Sequence, residues 1–82
     1  MTPYDCGAYG RFAIPCYIVD RESGFDWGAA NPSSTARGPY QMLDIHGRPW
    51  PIRSEADKLE HHRIAAHLWA GGAGSSHWAL TR

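Results

Sequence analysis

The sequence has no long hydrophobic run, no excess of charge of either sign and little cysteine. Its 82 residues include eight Lys or Arg and eight Asp or Glu side chains. Because these charges balance and form no basic stripe, we expect no nucleic-acid partner, whereas a neutral polymer is compatible with the composition. No apolar stretch is long enough for a membrane span, and no charged and then apolar leader follows Met1.

The length fits one small domain, residues 1–82, with a thin hydrophobic core. Without a recognisable leader, we expect either a mature or an excised domain, and we expect it to be a monomer or a module of a larger protein. A third expectation is a protein exported by another route, such as cell lysis or packaging into a virion.

Cys6 and Cys16 are the two cysteines of the sequence. A bridge between them would close a short loop and stabilise the fold by about 2–3 kcal/mol. Small domains that act outside the cytoplasm often need such a restraint, so we expect the disulfide. The alternative is two unpaired small core residues. The CxxC pairs of structural zinc sites are absent.

Three of the five histidines, His61, His62 and His67, fall on one predicted helix. None of these pairs has the i, i+4 spacing that lets two side chains share one metal ion. We therefore expect no metal site and no cofactor, and we expect partly exposed polar histidines instead.

A first helix is predicted over Pro15–Ser23, with Pro15 at its first position and Gly24 ending it. At 100° per residue, one face of this helix combines apolar and small residues with a carboxylate: Cys16, Ile18, Val19, Glu22 and Ser23. Glu22 is thus partly desolvated, which is the environment of a general acid. The alternative is a helix-end carboxylate that reaches solvent or pairs with an arginine.

A second helix is predicted from Ser54 to about Ala70, because Ser54 and Asp57 resemble a capping box and glycines follow Ala70. Its apolar residues cover a broad arc, so we expect a largely buried central helix: Leu59, Ile64, Ala65, Ala66, Leu68 and Trp69. A turn is predicted at Asn31–Ser34. Met1–Phe12 is expected to be an irregular lead-in or a short turn of helix.

Two blocks of sequence resemble motifs of one enzyme family. ESG at Glu22–Gly24 and NPSSTARGPYQM at Asn31–Met42 resemble the glutamate and glycine-glutamine motifs of the lysozyme-like lytic transglycosylases, whose small fold the resuscitation-promoting factors share. These two stretches form the first block. The second block, AAHLWAGGAGSSHW, resembles the tyrosine-asparagine-alanine-glycine signature of the same family. Trp69 stands at the tyrosine position, Gly72 at the motif glycine and Trp78 at a later aromatic, while Ala70 replaces the asparagine. The resemblance covers roughly residues 14–78.

The resemblance implies a mainly α minimal lysozyme-like domain, α+β by family, with little or no sheet. Its cleft would lie between the Glu22 helix and the loops 38–41 and 71–78. Its activity would be cleavage of the β-1,4 bond between N-acetylmuramic acid and N-acetylglucosamine in peptidoglycan glycan strands, with Glu22 as acid and then base. The expected location is extracellular or in the cell wall, including a phage-encoded or virion-associated protein.

The resemblance also implies the residues that bind substrate, namely Ser23, Gly38, Gln41, Trp69 and Gly72. To these we add Trp27 and Tyr40, because they are aromatic residues on the loops nearest Glu22 and flat rings suit sugars.

Three readings of the chemistry stay open. A single acid favours the lytic transglycosylase. A second carboxylate, Asp26 or Asp44, would make the protein a lysozyme-type muramidase. The third reading is a non-catalytic glycan-binding or structural module that retains the fold.

Overall fold

The computed structural model describes residues 2–78. Two α-helices dominate this part of the chain: α1, Cys16–Ser23, and α2, Glu55–Trp69. A small antiparallel sheet precedes them, in which β1, Tyr4–Asp5, pairs with β2, Arg11–Phe12. This mainly helical architecture with very little sheet agrees with the fold class expected from the sequence. Short 3-10 turns lie at Gly7–Tyr9, Asp44–His46, Ala70–Gly72 and Ser75–Trp78.

The segment before α1 is more regular than expected. The sequence predicts an irregular lead-in or a short turn of helix over Met1–Phe12. Instead, β1 and β2 form a hairpin, in which the amide of Cys6 donates to the carbonyl of Gly10 at 2.8 Å. Met1 itself lies outside the described residues. Strands of two residues are too short to show the alternation that marks a strand in a sequence.

A disulfide joins Cys6, in this hairpin, to Cys16, the first residue of α1, and their Cα atoms are 5.6 Å apart. The predicted bridge is confirmed. It pins the hairpin to the helix that carries Glu22.

The ends of α1 lie close to those predicted from Pro15 and Gly24. Pro15 is the N-cap, so the helix begins one residue later than predicted, at Cys16. Gly24 ends it in the left-handed conformation (φ 62°), and its amide donates to the carbonyl of Asp20. Ile18 and Val19 are buried while Tyr17 is exposed, so the predicted inner face is confirmed.

Local capping also sets the start of α2. The Ser54 hydroxyl accepts a hydrogen bond from the amide of Asp57 at 3.3 Å, and the Asp57 carboxylate accepts one from the amide of Arg53 at 2.8 Å. The helix ends at Trp69, one residue earlier than predicted, because Ala70 adopts a left-handed conformation (φ 50°).

The predicted inner face of α2 is wrong at two positions. Leu59 is 64% exposed, whereas His61 is fully buried. The buried positions are His61, Ile64 and Ala65, spaced at i, i+3 and i+4, and this stripe faces the core. The predicted arc is therefore correct at Ile64 and Ala65, but it includes the exposed Leu59 and leaves out the buried His61, because it was drawn from residue types alone.

The core forms where α1, α2 and the segment 36–42 meet. It contains Phe12, Ile14, Ile18, Val19, Tyr40, Met42, Ile64 and Trp78. Full burial of one such aliphatic or aromatic side chain contributes about 1.5–3 kcal/mol. The indole N–H of Trp78 donates to the carbonyl of Tyr40 at 2.8 Å, which fixes the C-terminal turn to this segment. Within residues 2–78, neither helix is long and apolar enough to cross a membrane.

Candidate active site

An open cleft of about 730 Å³ lies beside the C-terminal end of α1. We call it the Glu22 cleft. Three separate segments line it: Arg21, Glu22 and Ser23 come from α1, Asp26 and residues 28–32 follow α1, and Gln41 comes from the glycine-glutamine segment. The Glu22 side chain is half-buried on the helix face that also carries Ile18 and Val19. The structure therefore places the predicted acid in a groove that a substrate can reach.

The turn after α1 returns the chain to this cleft. Gly24 and Phe25 both have positive φ, 62° and 64°, which reverses the backbone direction within two residues. A phenylalanine in this conformation is strained. Its ring stacks on Tyr9 with a centroid distance of 4.2 Å and an interplanar angle of 6°, and this contact holds the turn. The next residue, Asp26, lines the cleft, and its carboxylate accepts a hydrogen bond from the amide of Gly28 at 2.8 Å.

Ser23 connects the two motifs. Its hydroxyl lies 2.8 Å from the carbonyl oxygen of Pro39 and 3.2 Å from that of Val19. A hydroxyl has one proton to donate, and both neighbours are acceptors. Ser23 lines the cleft as predicted, but its proton is used to hold the segment 38–41 against α1, and only its lone pairs face a substrate.

Gln41 lines the cleft from the glycine-glutamine segment. Its side-chain nitrogen donates to the carbonyl oxygens of Gly38 at 2.8 Å and Ala29 at 3.3 Å. Since both amide protons are directed at the protein, Oε1 is the atom left to accept a hydrogen bond from a substrate N–H or O–H. The residue is 93% buried, and its backbone has φ 52°, so the surrounding turn fixes its position.

Gly38 does not offer its backbone to the cleft, and this corrects the prediction. It is buried and has φ 79°, and a Cβ at this position would lie 2.9 Å from Cε1 of His61. Its amide donates to the carbonyl of Ala29 at 2.8 Å. A glycine is required here because the turn packs directly on the imidazole ring of α2.

Neither aromatic residue chosen for sugar contact lines the Glu22 cleft. Tyr40 is fully buried, with its ring in the core, because its hydroxyl bonds inward to Ala13 and to His62. Trp27 is half-buried and lines a different groove, on the side of the turn occupied by His62 and Lys58. The prediction of sugar contact at Tyr40 and Trp27 is thus not supported by their positions.

Trp69 lines a neighbouring groove of about 290 Å³ with Tyr17 and Trp78. Arg21 lines both this groove and the Glu22 cleft, so the two are adjacent. Gly72 has φ 108°, and a Cβ there would lie 4.0 Å from the Trp69 ring. Gly72 does not line the Glu22 cleft, so its predicted contact with substrate is not supported by its position.

Of the two candidates for a second carboxylate, only Asp26 lines the Glu22 cleft. Asp44 instead accepts a hydrogen bond from the Thr35 hydroxyl at 3.1 Å, on the far side of the segment 36–42. The part of the chain that the structure describes holds no group of three or more His, Cys, Asp or Glu side chains arranged to bind a metal ion.

His61 and His62 have structural roles that the sequence interpretation missed. Nε2 of His61 lies 2.9 Å from the carbonyl oxygen of Pro49, so it carries the ring proton, and Nδ1 is buried with no partner among residues 2–78. Burial lowers the pKa of His61, against the opposing effect of the bond to Pro49. Burial also lowers the pKa of His62, and His61 and Lys58 act in the same direction. Both rings are therefore neutral supports for the segment 38–41.

The signal for this role is present in the sequence. His61 precedes Ile64, Ala65 and Leu68 by three, four and seven positions, which is the spacing of one helix face.

Comparison with models of protein families, with curated proteins and with solved structures finds no significant match for this chain. The resemblance to the lytic transglycosylases therefore rests on the motif residues of the sequence alone.

Proposed function

We propose that the protein is a peptidoglycan-cleaving glycosidase with a lysozyme-like fold and that it acts as a lytic transglycosylase. The observation that carries this proposal is the Glu22 cleft, in which Glu22 and Ser23 of the glutamate motif meet Gln41 of the glycine-glutamine motif. These three are among the residues for which the resemblance implies catalysis or substrate contact. The open, largely polar groove suits an extended polymer, and the balanced charge suits a glycan strand.

In the proposed reaction, Glu22 donates its proton to the glycosidic oxygen as the bond from that oxygen to C1 of N-acetylmuramic acid breaks. The positive charge that develops at C1 and the ring oxygen defines an oxocarbenium-like transition state. The oxygen of the sugar's own C6 hydroxyl then bonds to C1, and the Glu22 carboxylate accepts the hydroxyl proton. The products are a free 4-hydroxyl group and a 1,6-anhydro ring, and Glu22 regains its proton.

Two residues would position the sugar for this step. The side-chain nitrogen of Gln41 is bonded to Gly38 and Ala29, so Oε1 would be the atom that accepts a hydrogen bond from an acetamido N–H or a hydroxyl. Ser23 holds the Gln41 turn against the helix that bears Glu22. A shift of about 1 Å in such a contact is sufficient to lower the rate strongly. This hydrogen bond would therefore keep the Glu22 carboxylate and the Gln41 side chain at a fixed separation.

A second candidate function is hydrolysis by a muramidase. The observation in its favour is the position of Asp26, which lines the same cleft as Glu22. In a muramidase, water rather than the C6 hydroxyl would attack C1, and Asp26 would activate that water or stabilise the cation. A non-catalytic glycan-binding module is the third possibility.

Release of soluble fragments from dye-labelled peptidoglycan tests the proposal. We expect the wild-type protein to release dye and Glu22→Gln to lose at least about 100-fold in rate, the scale of general acid–base catalysis. Glu60→Gln is the matched control, because Glu60 lies on the surface of α2, paired with Arg63. Equal rates for Glu22→Gln and Glu60→Gln would contradict the assignment of Glu22.

A further inference from the structure

A second groove lies on the opposite side of the turn that follows α1, and the proposed reaction does not use it. We call it the Trp27 groove. It has a volume of about 340 Å³ and runs between the β1–β2 hairpin and the first half of α2. Asp26 lines the Glu22 cleft and Trp27, the next residue, lines this groove, so the two depressions are separated by one backbone segment.

The walls of the Trp27 groove expose apolar surface. Tyr9 and Leu59 are 62% and 64% exposed. Between them, the ammonium group of Lys58 lies 5.2 Å from the centroid of the Trp27 ring. Large apolar side chains exposed together around a cation provide a surface for a ligand with both apolar and anionic parts.

His62 adds a directed hydrogen-bond donor to this groove. The Tyr40 hydroxyl accepts from the amide of Ala13 at 2.8 Å, so its own proton is directed at Nδ1 of His62, 2.6 Å away. Nδ1 is thus an acceptor, and the ring proton is on Nε2. Since His62 lines the groove, a fixed N–H group is available to an oxygen atom of a ligand.

The charges of the groove favour an anion. Its lining includes Arg11 and Lys58 but one carboxylate, that of Glu55. The Lys58–Glu55 pair has a distance of 3.3 Å, the Arg11–Asp5 pair one of 3.8 Å, and all four side chains are at least one third exposed. Exposed pairs of this kind contribute little free energy, so Lys58 can exchange its partner for the carboxylate of a ligand. Arg11 donates to the carbonyls of Thr2 and Pro3 at 3.0 Å each, so the terminal nitrogen that faces Asp5 is the part of its guanidinium that can do the same.

We propose that the Trp27 groove binds the peptide stem of peptidoglycan. The inference rests on the proposed function, because that substrate carries a short acidic peptide beside the glycan strand. Its carboxylates would pair with Lys58 and Arg11, a peptide carbonyl would accept from Nε2 of His62, and its methyl groups would contact Tyr9 and Leu59. In the intact polymer the lactyl carboxyl group of N-acetylmuramic acid is amide-linked to the peptide, so the carboxylates of the substrate lie on the peptide, which is why the peptide is the favoured occupant.

An NMR titration tests this inference without depending on cleavage. The protein carries Glu22→Gln, and the probe is a soluble stem tetrapeptide of alanine, glutamate, diaminopimelate and alanine. We expect saturable shifts of the Trp27 indole and His62 ring resonances, and an affinity at least about five-fold weaker when Lys58→Glu is added. Arg53→Glu is the matched control, because it changes the net charge equally from an exposed position outside the groove lining.

The outcomes separate the two proposals. Absence of shifts at these two rings, or equal weakening by Lys58→Glu and Arg53→Glu, would overturn the inference. The inference would also be overturned if an uncharged chitooligosaccharide, and not the peptide, changed the chemical shifts of the Trp27 and His62 resonances. Chemical shifts that depend on protein concentration alone would overturn it as well. Absence of cleavage by the wild-type protein would overturn the proposed function, whereas the titration would still report whether the peptide binds.

Discussion

The hydroxyl group of Tyr40 lies 2.6 Å from Nδ1 of His62 and also accepts the amide proton of Ala13. This one buried oxygen joins the chain before α1, the glycine-glutamine segment and α2. Burial raises the pKa of Tyr40, so the hydroxyl keeps its proton and donates it to His62 throughout the physiological range. The segment that forms one wall of the Glu22 cleft is therefore held from inside the core.

Replacement of this hydroxyl tests its contribution to stability. Tyr40→Phe leaves the Ala13 amide and Nδ1 of His62 without their partner, and we expect the free energy of unfolding to fall by about 1–3 kcal/mol. Urea denaturation measures this loss. Tyr17→Phe is the control, because Tyr17 is 65% exposed and its substitution is expected to change stability by less than about 0.5 kcal/mol. Equal effects of the two substitutions would contradict the role given to Tyr40.

The contact between Gly38 and His61 predicts a difference between two glycine substitutions. Gly38 and Gly47 have similar φ, 79° and 74°, but a Cβ at Gly38 meets the His61 ring whereas one at Gly47 meets nothing within 4 Å. Both alanine variants should lose about 1–2 kcal/mol through backbone strain. We expect Gly38→Ala to lose at least about 1 kcal/mol more, because the ring must shift. Equal losses in thermal denaturation would show that the packing is not close.

The buried histidines predict that acid destabilises the fold. The pKa of His61 is lowered in the folded protein, so below about pH 6.5 the unfolded chain binds a proton that the folded chain does not. Stability is therefore complete above that pH and falls as the pH decreases toward the folded-state pKa. His62 and His46, whose pKa values are also lowered, act in the same direction.

Chemical denaturation at several pH values between 5 and 7.5 measures this dependence. Each unit of pKa difference corresponds to about 1.4 kcal/mol. His61→Gln should flatten the slope, because it removes the contribution of a fully buried histidine, while the exposed control His67→Gln should retain it. The charged groups near His61 are Arg48, Asp57 and Glu60, and neither variant alters them. A slope unchanged by His61→Gln would refute this account.

Reduction of the Cys6–Cys16 disulfide should weaken the attachment of the hairpin to α1. For a closed loop of this length, the expected loss is about 2–3 kcal/mol. The double variant Cys6→Ser, Cys16→Ser should show this loss in urea denaturation, and a reducing agent should lower the stability of the wild-type protein but not of the variant. If the reducing agent changed the stability of both proteins equally, the disulfide would not contribute to stability.

Features encoded by local sequence were predictable. Pro15 and Gly24 bound α1, and Ser54 starts α2, because a missing N–H, a left-handed glycine and a side-chain cap each act within one helical turn. The position of Glu22 on the inner face of α1 follows from helical periodicity alone. The disulfide required one further argument, that a small core benefits from a covalent restraint.

Features that depend on tertiary packing were not predictable in the same way. Tyr40 follows Gly38 on a loop, which favoured exposure, but its hydroxyl finds two partners inside the core and the ring is buried with it. His61 was expected to be partly exposed because it is polar, yet Gly38 leaves space for its ring. Trp27 lies on the other side of the turn from Glu22 because Gly24 and Phe25 reverse the chain.

We propose that Glu22 acts as acid and then base in the cleavage of peptidoglycan. Mass spectrometry of purified peptidoglycan, digested in parallel with the wild-type protein and with Glu22→Gln, is the decisive experiment. We expect 1,6-anhydromuropeptides from the wild-type protein and none from the variant. Fragments with reducing ends would replace the transglycosylase with a muramidase and direct attention to Asp26. Absence of fragments from both proteins would contradict the enzymatic function.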